Sequence, residues 1–141
     1  MVYVDTSVLV ALIVPETATA SVLKWFQSTR MSLVTSIWCS AEFVSALGIK
    51  QRAGDIDAGI AAASWQRFER VTVSDLTVLQ PAAAQFHRAA MLALDAASGL
   101  RAEDALHLAC AEQVGARAFA TLDRLQARGA QRLKMKLVPF S

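Results

Sequence analysis

Short apolar stretches alternate along the chain with longer segments whose apolar residues recur at helical spacing. We predict five strands from the short stretches, because each is bounded by turn or cap-forming residues and is too short for a stable helix. They are Val2–Val4, Leu33–Thr35, Val71–Val73, Arg117–Thr121 and Leu137–Val138. Their apolar residues do not alternate cleanly with polar ones, which is typical of strands buried on both faces of a parallel sheet.

The longer segments predict seven helices. They run over about Ser7–Leu12, Thr17–Ser28, Ile37–Arg52, Asp55–Glu69, Pro81–Ser98 and Ala102–Val114, with a short one from Asp123 to Gly129. Asp55 suits a helix start, and Gly54 and Gly115 suit helix ends. Helices between strands imply crossover connections, and therefore a parallel sheet covered on both faces. Because residues 1–141 contain no linker or repeat, we predict a single α/β domain.

Composition narrows the setting in which the protein works. Hydrophobic residues make up 55% of its 141 residues, yet the longest unbroken apolar run, Val8–Val14, is far too short to cross a membrane. No basic leader precedes the first strand, so we expect no signal peptide. Cys39 and Cys110 lie in apolar helical patterns and suit small core residues of a reduced, cytoplasmic protein.

Apolar content and charge each leave two interpretations open. The high apolar content favours a buried interface with a second copy or a protein partner, but a tightly packed, alanine-rich monomer would also account for it. The net charge of +2 is too small to indicate nucleic-acid binding by itself. No acidic residue follows Asp123, however, and the basic residues after it form either a nucleic-acid-binding surface or a solubilising one. These bases are Arg124, Arg128, Arg132, Lys134 and Lys136.

Four acids stand in largely apolar surroundings, which is costly for an unpaired carboxylate. Asp5 ends the first strand and Asp123 follows the fourth, while Glu42 and Asp104 lie on apolar helices. We call these four residues the acidic quartet. Ligands of open α/β sheets bind beyond the carboxyl ends of the strands, so Asp5 and Asp123 should meet there.

Each member of the quartet also has a purely structural interpretation. Asp5 and Asp123 suit caps for the helices that follow them, and Glu42 suits a partner for an arginine. Asp104 and its neighbour Glu103 both suit the first turn of a helix. Spacing alone does not decide which of these two neighbours points at a shared site.

Convergence of the quartet would call for a cation, because four carboxylates close together could not all stay ionised without one. All-oxygen ligation favours Mg²⁺ or Mn²⁺ over zinc, and such ions assist phosphoryl transfer. Thr121 offers a hydroxyl to the same strand end as Asp123. His107, one turn after Asp104, could be a ligand or a base, but a hydrogen-bonded core histidine is the commoner outcome.

The motifs that carry these acids resemble those of a known family. The chain is similar to PIN-domain ribonucleases, and specifically to the VapC-type toxins of bacterial toxin–antitoxin pairs. The matching segments are Val4–Leu9, Ser40–Glu42, Arg101–Ala109 and Thr121–Asp123. Their order and spacing fit across nearly the whole chain.

The resemblance implies a three-layer, Rossmann-like α/β/α fold with a parallel central sheet. It implies that the acidic quartet surrounds Mg²⁺ or Mn²⁺, with Asp5 and Asp104 as direct ligands, and it favours Asp104 over Glu103. It further implies metal-dependent hydrolysis of RNA, a homodimer, and inhibition by a cognate antitoxin protein. Supporting hydroxyls would come from Thr6, Ser7 and Thr121, and RNA contacts from Arg101, Arg124 and Arg128.

Other functional classes compete with this interpretation. A haloacid-dehalogenase-like phosphatase also uses a strand-end Asp and Mg²⁺, but it needs a second Asp where this chain has Ser7. A receiver-type signalling domain needs an acidic pair at the end of the first strand. A non-catalytic binding module with the same fold is the remaining alternative. Metal-dependent RNA cleavage that is lost in Asp5→Asn or Asp104→Asn would distinguish an enzyme from such a module.

Overall fold

A computed structural model describes residues 1–141 of the protein. Five short strands and seven helices make up its fold. The strands are β1 (Val2–Val4), β2 (Leu33–Ser36), β3 (Thr77–Leu79), β4 (Ala118–Ala120) and β5 (Lys136–Leu137). The helices are α1 (Thr6–Ile13), α2 (Thr19–Ser28), α3 (Trp38–Arg52), α4 (Ala58–Ser74), α5 (Ala83–Leu94), α6 (Ala102–Gln113) and α7 (Arg124–Arg132). None of these helices is long and apolar enough to span a membrane.

All five strands are parallel, in the order β3-β2-β1-β4-β5. The central strand β1 pairs with β2 on one side, Val2 opposite Leu33, and with β4 on the other, Val2 opposite Ala118. The chain therefore leaves β1 in one direction and returns on its other side. The crevice between the carboxyl ends of β1 and β4 is the topological switch point, where open α/β sheets bind their ligands.

Helices cover both faces of the sheet, which confirms the predicted three-layer architecture. Val2 and Val4 point into a core formed with α1, α2, α3 and α4, in which Phe43 and Phe68 stack. Tyr3 points to the opposite face, where it stacks on Phe119 in a core formed with α5, α6 and α7. Successive residues of β1 are therefore all buried, which explains why this strand shows no polar alternation.

The third strand is not the predicted one. Val71–Val73 belongs to the last turn of α4, and Val73 is 85% exposed. The strand β3 instead comes after a turn at Asp75, and Thr77 pairs with Val34 of β2. The β-branched residues favoured a strand locally, but the helix that begins after its cap Asp57 continues through them. Asp57, and not the predicted Asp55, caps this helix.

Two helix ends also differ from the prediction. The segment predicted as one helix over Pro81–Ser98 divides into α5 and a short 3-10 turn over Ala96–Ser98. Asp95 is extended and caps this turn, and Gly99 ends it at a φ of +67°. Gly129 does not end α7, which continues to Arg132. A Cβ atom on Gly129 would lie 2.6 Å from Leu108 Cδ1, so the glycine permits the close approach of α7 to α6.

The two cysteines lie in the core as predicted. Cys39 on α3 and Cys110 on α6 are both buried, and neither forms a disulfide. They belong to opposite layers of the fold, and burial raises the pKa of Cys39 to about 12. Both thiols are therefore packed as small apolar side chains.

Candidate active site

The acidic quartet lines one surface depression of about 420 Å³ beyond the carboxyl ends of β1 and β4. We call this depression the acidic pocket. The quartet comes from two adjacent strand ends and from helices in opposite layers, because Glu42 lies on α3 and Asp104 on α6. The lining residues are Asp5, Thr6, Ser7, Val10, Glu16, Glu42, Ala46, Asp104, Leu122 and Asp123.

Asp5 is both a helix cap and a pocket residue. Its Oδ2 accepts hydrogen bonds from the Ser7 backbone N (3.1 Å), Ser7 Oγ (2.6 Å) and Thr121 Oγ1 (3.2 Å). These donors fix the carboxylate at the start of α1 and leave Oδ1 with fewer donors. The capping and hydroxyl contacts therefore all involve Oδ2, and none of them involves Oδ1.

Glu42 is paired with His107, and not with the arginine that the purely structural interpretation of Glu42 required. Its Oε1 contacts His107 Nε2 and accepts a hydrogen bond of 2.7 Å from Thr6 Oγ1. His107 is fully buried, and its Nδ1 lies 2.7 Å from the hydroxyl of Tyr3. Both ring nitrogens are therefore held, which confirms the expectation of a hydrogen-bonded core histidine.

Glu42 and His107 shift each other's pKa in opposite directions. Burial opposes ionisation of Glu42, but the hydrogen bond and charge of His107, together with Thr6, lower the pKa of Glu42 overall. Burial likewise opposes protonation of His107, but the hydrogen bond to Glu42 and the charges of Asp5, Glu42 and Asp104 raise the pKa of His107 overall. Contact between the two side chains thus favours the ionised carboxylate of Glu42 and the protonated imidazole of His107.

Asp104 lies half-buried in the first turn of α6 and is crowded by other acids. Burial first, and then the charges of Asp123, Asp5 and Glu103, raise the pKa of Asp104 to about 6. Glu103 does not line the acidic pocket. The two neighbouring acids therefore point at different surfaces, and it is Asp104 that faces the rest of the quartet.

Glu103 lies instead on an adjoining apolar groove of about 230 Å³ between α3, α5 and α6. Trp38 and Phe86 line this groove, together with alanines of α5 and Leu106. Both aromatic side chains are exposed, Trp38 by 38% and Phe86 by 54%. The groove lies next to the acidic pocket, since Trp38 stands one helical turn before Glu42 on α3.

Asp123 caps α7, and its Oδ1 accepts a hydrogen bond of 2.8 Å from the Gln126 backbone N. Thr121 Oγ1 accepts another of 3.0 Å from the Asp123 backbone N. The hydroxyl of Thr121 thus links the ends of β1 and β4, because it also donates to Asp5. As with Asp5, the capping role of Asp123 and its place in the pocket coexist.

The three predicted RNA-contact arginines are exposed, and none of them forms a salt bridge. Arg101 stands at the start of α6, and Arg124 at the start of α7 beside Asp123. The remainder of the basic tail lies elsewhere. Lys136 pairs with Ala118 at the amino end of β4, whereas the acidic pocket lies beyond the carboxyl ends of the strands.

Two polar residues that touch the site were not foreseen. Glu16 lines the pocket and pairs with Lys50 at 3.2 Å. Gln126 is fully buried on α7, where it lies against Asp5. The signal for Gln126 was its helical spacing from Gly129 and Ala130, because all three lie on the buried face of α7.

The donor set of the pocket fits a hard divalent cation. No three His, Cys, Asp or Glu side chains lie close enough together to form a ready-made metal-ligand group. The polar lining nevertheless consists of carboxylates and hydroxyls, the ligand types that Mg²⁺ and Mn²⁺ prefer. Burial first, and then repulsion between carboxylates, raise the pKa of Asp104, and a cation would relieve the repulsion.

Solved structures of other proteins share this fold. VapC20 of Mycobacterium tuberculosis, a toxin that cleaves the sarcin–ricin loop, is 20% identical with a TM-score of 0.72, over 92% of this chain and 95% of that one. PAE2754 of Pyrobaculum aerophilum is 25% identical with a TM-score of 0.67, over 97% and 83%. VapBC2 of Rickettsia felis, solved with a promoter DNA fragment, is 14% identical with a TM-score of 0.63, over 100% of both chains.

Sequence comparison decides the family. No curated protein gives a significant match. The family model described as the PIN domain, however, matches residues 2–131, which include all of the acidic quartet. The chain therefore belongs to the PIN-domain family.

Proposed function

We propose that this protein is a metal-dependent ribonuclease and the toxin of a type II toxin–antitoxin pair. The observation that carries the proposal is the position of the acidic quartet, which lines one pocket at the switch point of a PIN fold. Structural neighbours support the substrate class, since VapC20 is a toxin that cleaves an RNA loop. They support the pairing as well, since others were solved as VapBC and FitAB assemblies.

In this proposal Asp5 and Asp104 hold Mg²⁺ or Mn²⁺ directly, and Glu42 and Asp123 complete the acidic surroundings. When bound, such a cation would activate water and offset the charge that develops on the phosphate during hydrolysis. Because Mg²⁺ commonly keeps several water ligands, carboxylates that are not gathered into a tight cluster remain suited to it.

The other residues of the pocket position the acids and the substrate. Thr6 donates to Glu42, while Ser7 and Thr121 donate to Asp5, so these hydroxyls fix two of the carboxylates. The unpaired arginines at the start of α6 and along α7 would bind RNA phosphates. These arginines are Arg101, Arg124 and Arg128.

A protein partner and a second copy of the chain are part of the proposal. The apolar groove around Trp38 and Phe86 supports them, because exposed aromatic side chains beside a functional pocket are typical of protein interfaces. A cognate antitoxin that covers the acidic pocket would keep the toxin inactive until the antitoxin is removed.

The proposal is tested by incubating the purified chain with RNA in the presence of Mg²⁺ or Mn²⁺. We expect cleavage that stops on addition of EDTA and is lost in Asp5→Asn and Asp104→Asn. Glu112→Gln is a matched control, because Glu112 pairs with Arg88 on the surface and not in the pocket. Robust cleavage in EDTA, or an active Asp5→Asn protein, would refute the metal-dependent mechanism.

A further inference from the structure

We propose that Gln126 is a positioning residue, which fixes the Asp5 carboxylate for cation binding and ties it to Asp123. The inference rests on the proposed function and deepens it. Gln126 is a polar side chain that is fully buried, although its neighbours on the same face of α7 are Gly129 and Ala130. An apolar residue of similar size would fill this position without the cost of burying an amide.

The contacts of the amide account for this cost. In the orientation that satisfies its neighbours, Nε2 donates towards Asp5 Oδ2 at 3.0 Å and Oδ1 at 3.1 Å. The same nitrogen lies 2.8 Å from Thr121 Oγ1, which in turn donates to Asp5. One amide therefore contacts both oxygens of Asp5 and the Thr121 hydroxyl that donates to Oδ2.

The backbone of the same residue reaches a second member of the quartet. The Gln126 N donates to Asp123 Oδ1 at 2.8 Å. Asp5 follows β1 and Asp123 follows β4, so Gln126 sets the spacing between carboxylates at two strand ends. Its position in the first turn of α7 joins this spacing to the packing of a whole helix.

A neutral donor suits this task better than a charged one. Arg or Lys at this position would pair with Asp5 and would compete with a cation for its charge. The amide of Gln126 orients the carboxylate and leaves its charge in place. Partners that orient ligands in this way commonly contribute 10- to 100-fold, roughly, to metal affinity.

The test is calorimetric titration of Mn²⁺ into wild type, Gln126→Met and Gln131→Met, each first freed of metal. Met matches Gln in length and lacks the donor, and Gln131 is an exposed residue of the same helix. We expect Gln126→Met to raise the Kd for Mn²⁺ by about 10- to 100-fold. Gln131→Met should bind like wild type, and the thermal unfolding of each variant is followed alongside.

The outcomes separate this inference from the proposed function. Wild type that fails to bind Mn²⁺ would overturn both. Wild-type binding with an unchanged Kd in Gln126→Met would overturn the positioning role alone, whatever the change in unfolding temperature.

A second measurement uses the wild-type protein alone and does not depend on the folding of a variant. On titration of the wild-type protein with Mg²⁺, the side-chain amide signal of Gln126 should shift in NMR spectra, and that of Gln131 should not. A Gln126 signal that stays fixed while Mg²⁺ binds would also overturn the role.

Discussion

At the scale of single residues, Asp104 is a carboxylic acid on which burial and neighbouring charge act in the same direction. Burial, Asp123, Asp5 and Glu103 together raise the pKa of Asp104 from an ordinary 3.8 to about 6. An acid whose pKa is raised on folding stabilises the fold in its protonated form. This stabilisation is complete below pH 3.8 and is lost as the pH rises through about 6. Ionised Asp104 therefore destabilises the metal-free protein.

We predict that the affinity for Mn²⁺ rises with pH across a midpoint near 6, because Asp104 must lose its proton before it can bind a cation. Calorimetric titrations at a series of pH values measure this midpoint. NMR of the Asp104 carboxyl carbon in metal-free protein checks its assignment. Asp123→Asn removes the neighbouring charge that has the largest effect on the pKa of Asp104 and should therefore lower this pKa. Glu112→Gln should leave it unchanged. An Asp104 that titrates near 3.8 would contradict the prediction.

Also at this scale, the structure adds contacts that local sequence could not supply. Glu42 and His107 are far apart in the chain, and they meet only because α3 and α6 lie on opposite faces of the sheet and both reach its carboxyl edge. The hydroxyl of Tyr3 reaches His107 from β1 in the same way. A sequence pattern could show that Glu42 needs a partner, but not which residue provides it.

At the scale of elements, prediction succeeded where one local signal acted alone. Asp5 and Asp123 were recognised as strand-end residues because short apolar runs precede both. Val71–Val73 was misassigned because β-branched residues favour strands while the helix before them had not yet ended. Gly129 was misread as a helix end, because a glycine needed for close packing and one needed for a turn look alike in a sequence.

We predict that Gly129→Ala destabilises the protein by about 1–3 kcal/mol, because the added Cβ would lie 2.6 Å from Cδ1 of the fully buried Leu108, so that either this side chain or α7 must move. Gly48→Ala is the matched control. There the nearest atom is Arg52 Nη1 at 3.1 Å, the end of a flexible side chain, so helix propensity should give a gain of up to about 1 kcal/mol. Urea denaturation measures both. Equal stability changes in the two variants would contradict the packing role of Gly129.

At the scale of the whole molecule, the site could be predicted from topology but not in its details. Strands alternating with helices require a parallel sheet, and such a sheet brings Asp5 and Asp123 to the same edge. The same rule divides the basic tail. Helix α7 carries the chain from the carboxyl end of β4 back to the amino end of β5. Arg124 therefore directly follows Asp123 of the pocket, whereas Lys136 lies at the opposite end of the strands.

The different positions of these basic residues predict which of them bind RNA. Arg124→Gln combined with Arg128→Gln should weaken binding of a labelled single-stranded RNA. Each lost phosphate contact should also reduce the slope of log affinity against log salt by about 0.7. Lys134→Gln combined with Lys136→Gln removes the same charge from the opposite edge and should leave the slope nearly unchanged. Fluorescence anisotropy in EDTA measures binding without cleavage. Equal slopes for the two double variants would show that net charge, and not the position of the arginines beside the acidic pocket, governs RNA binding.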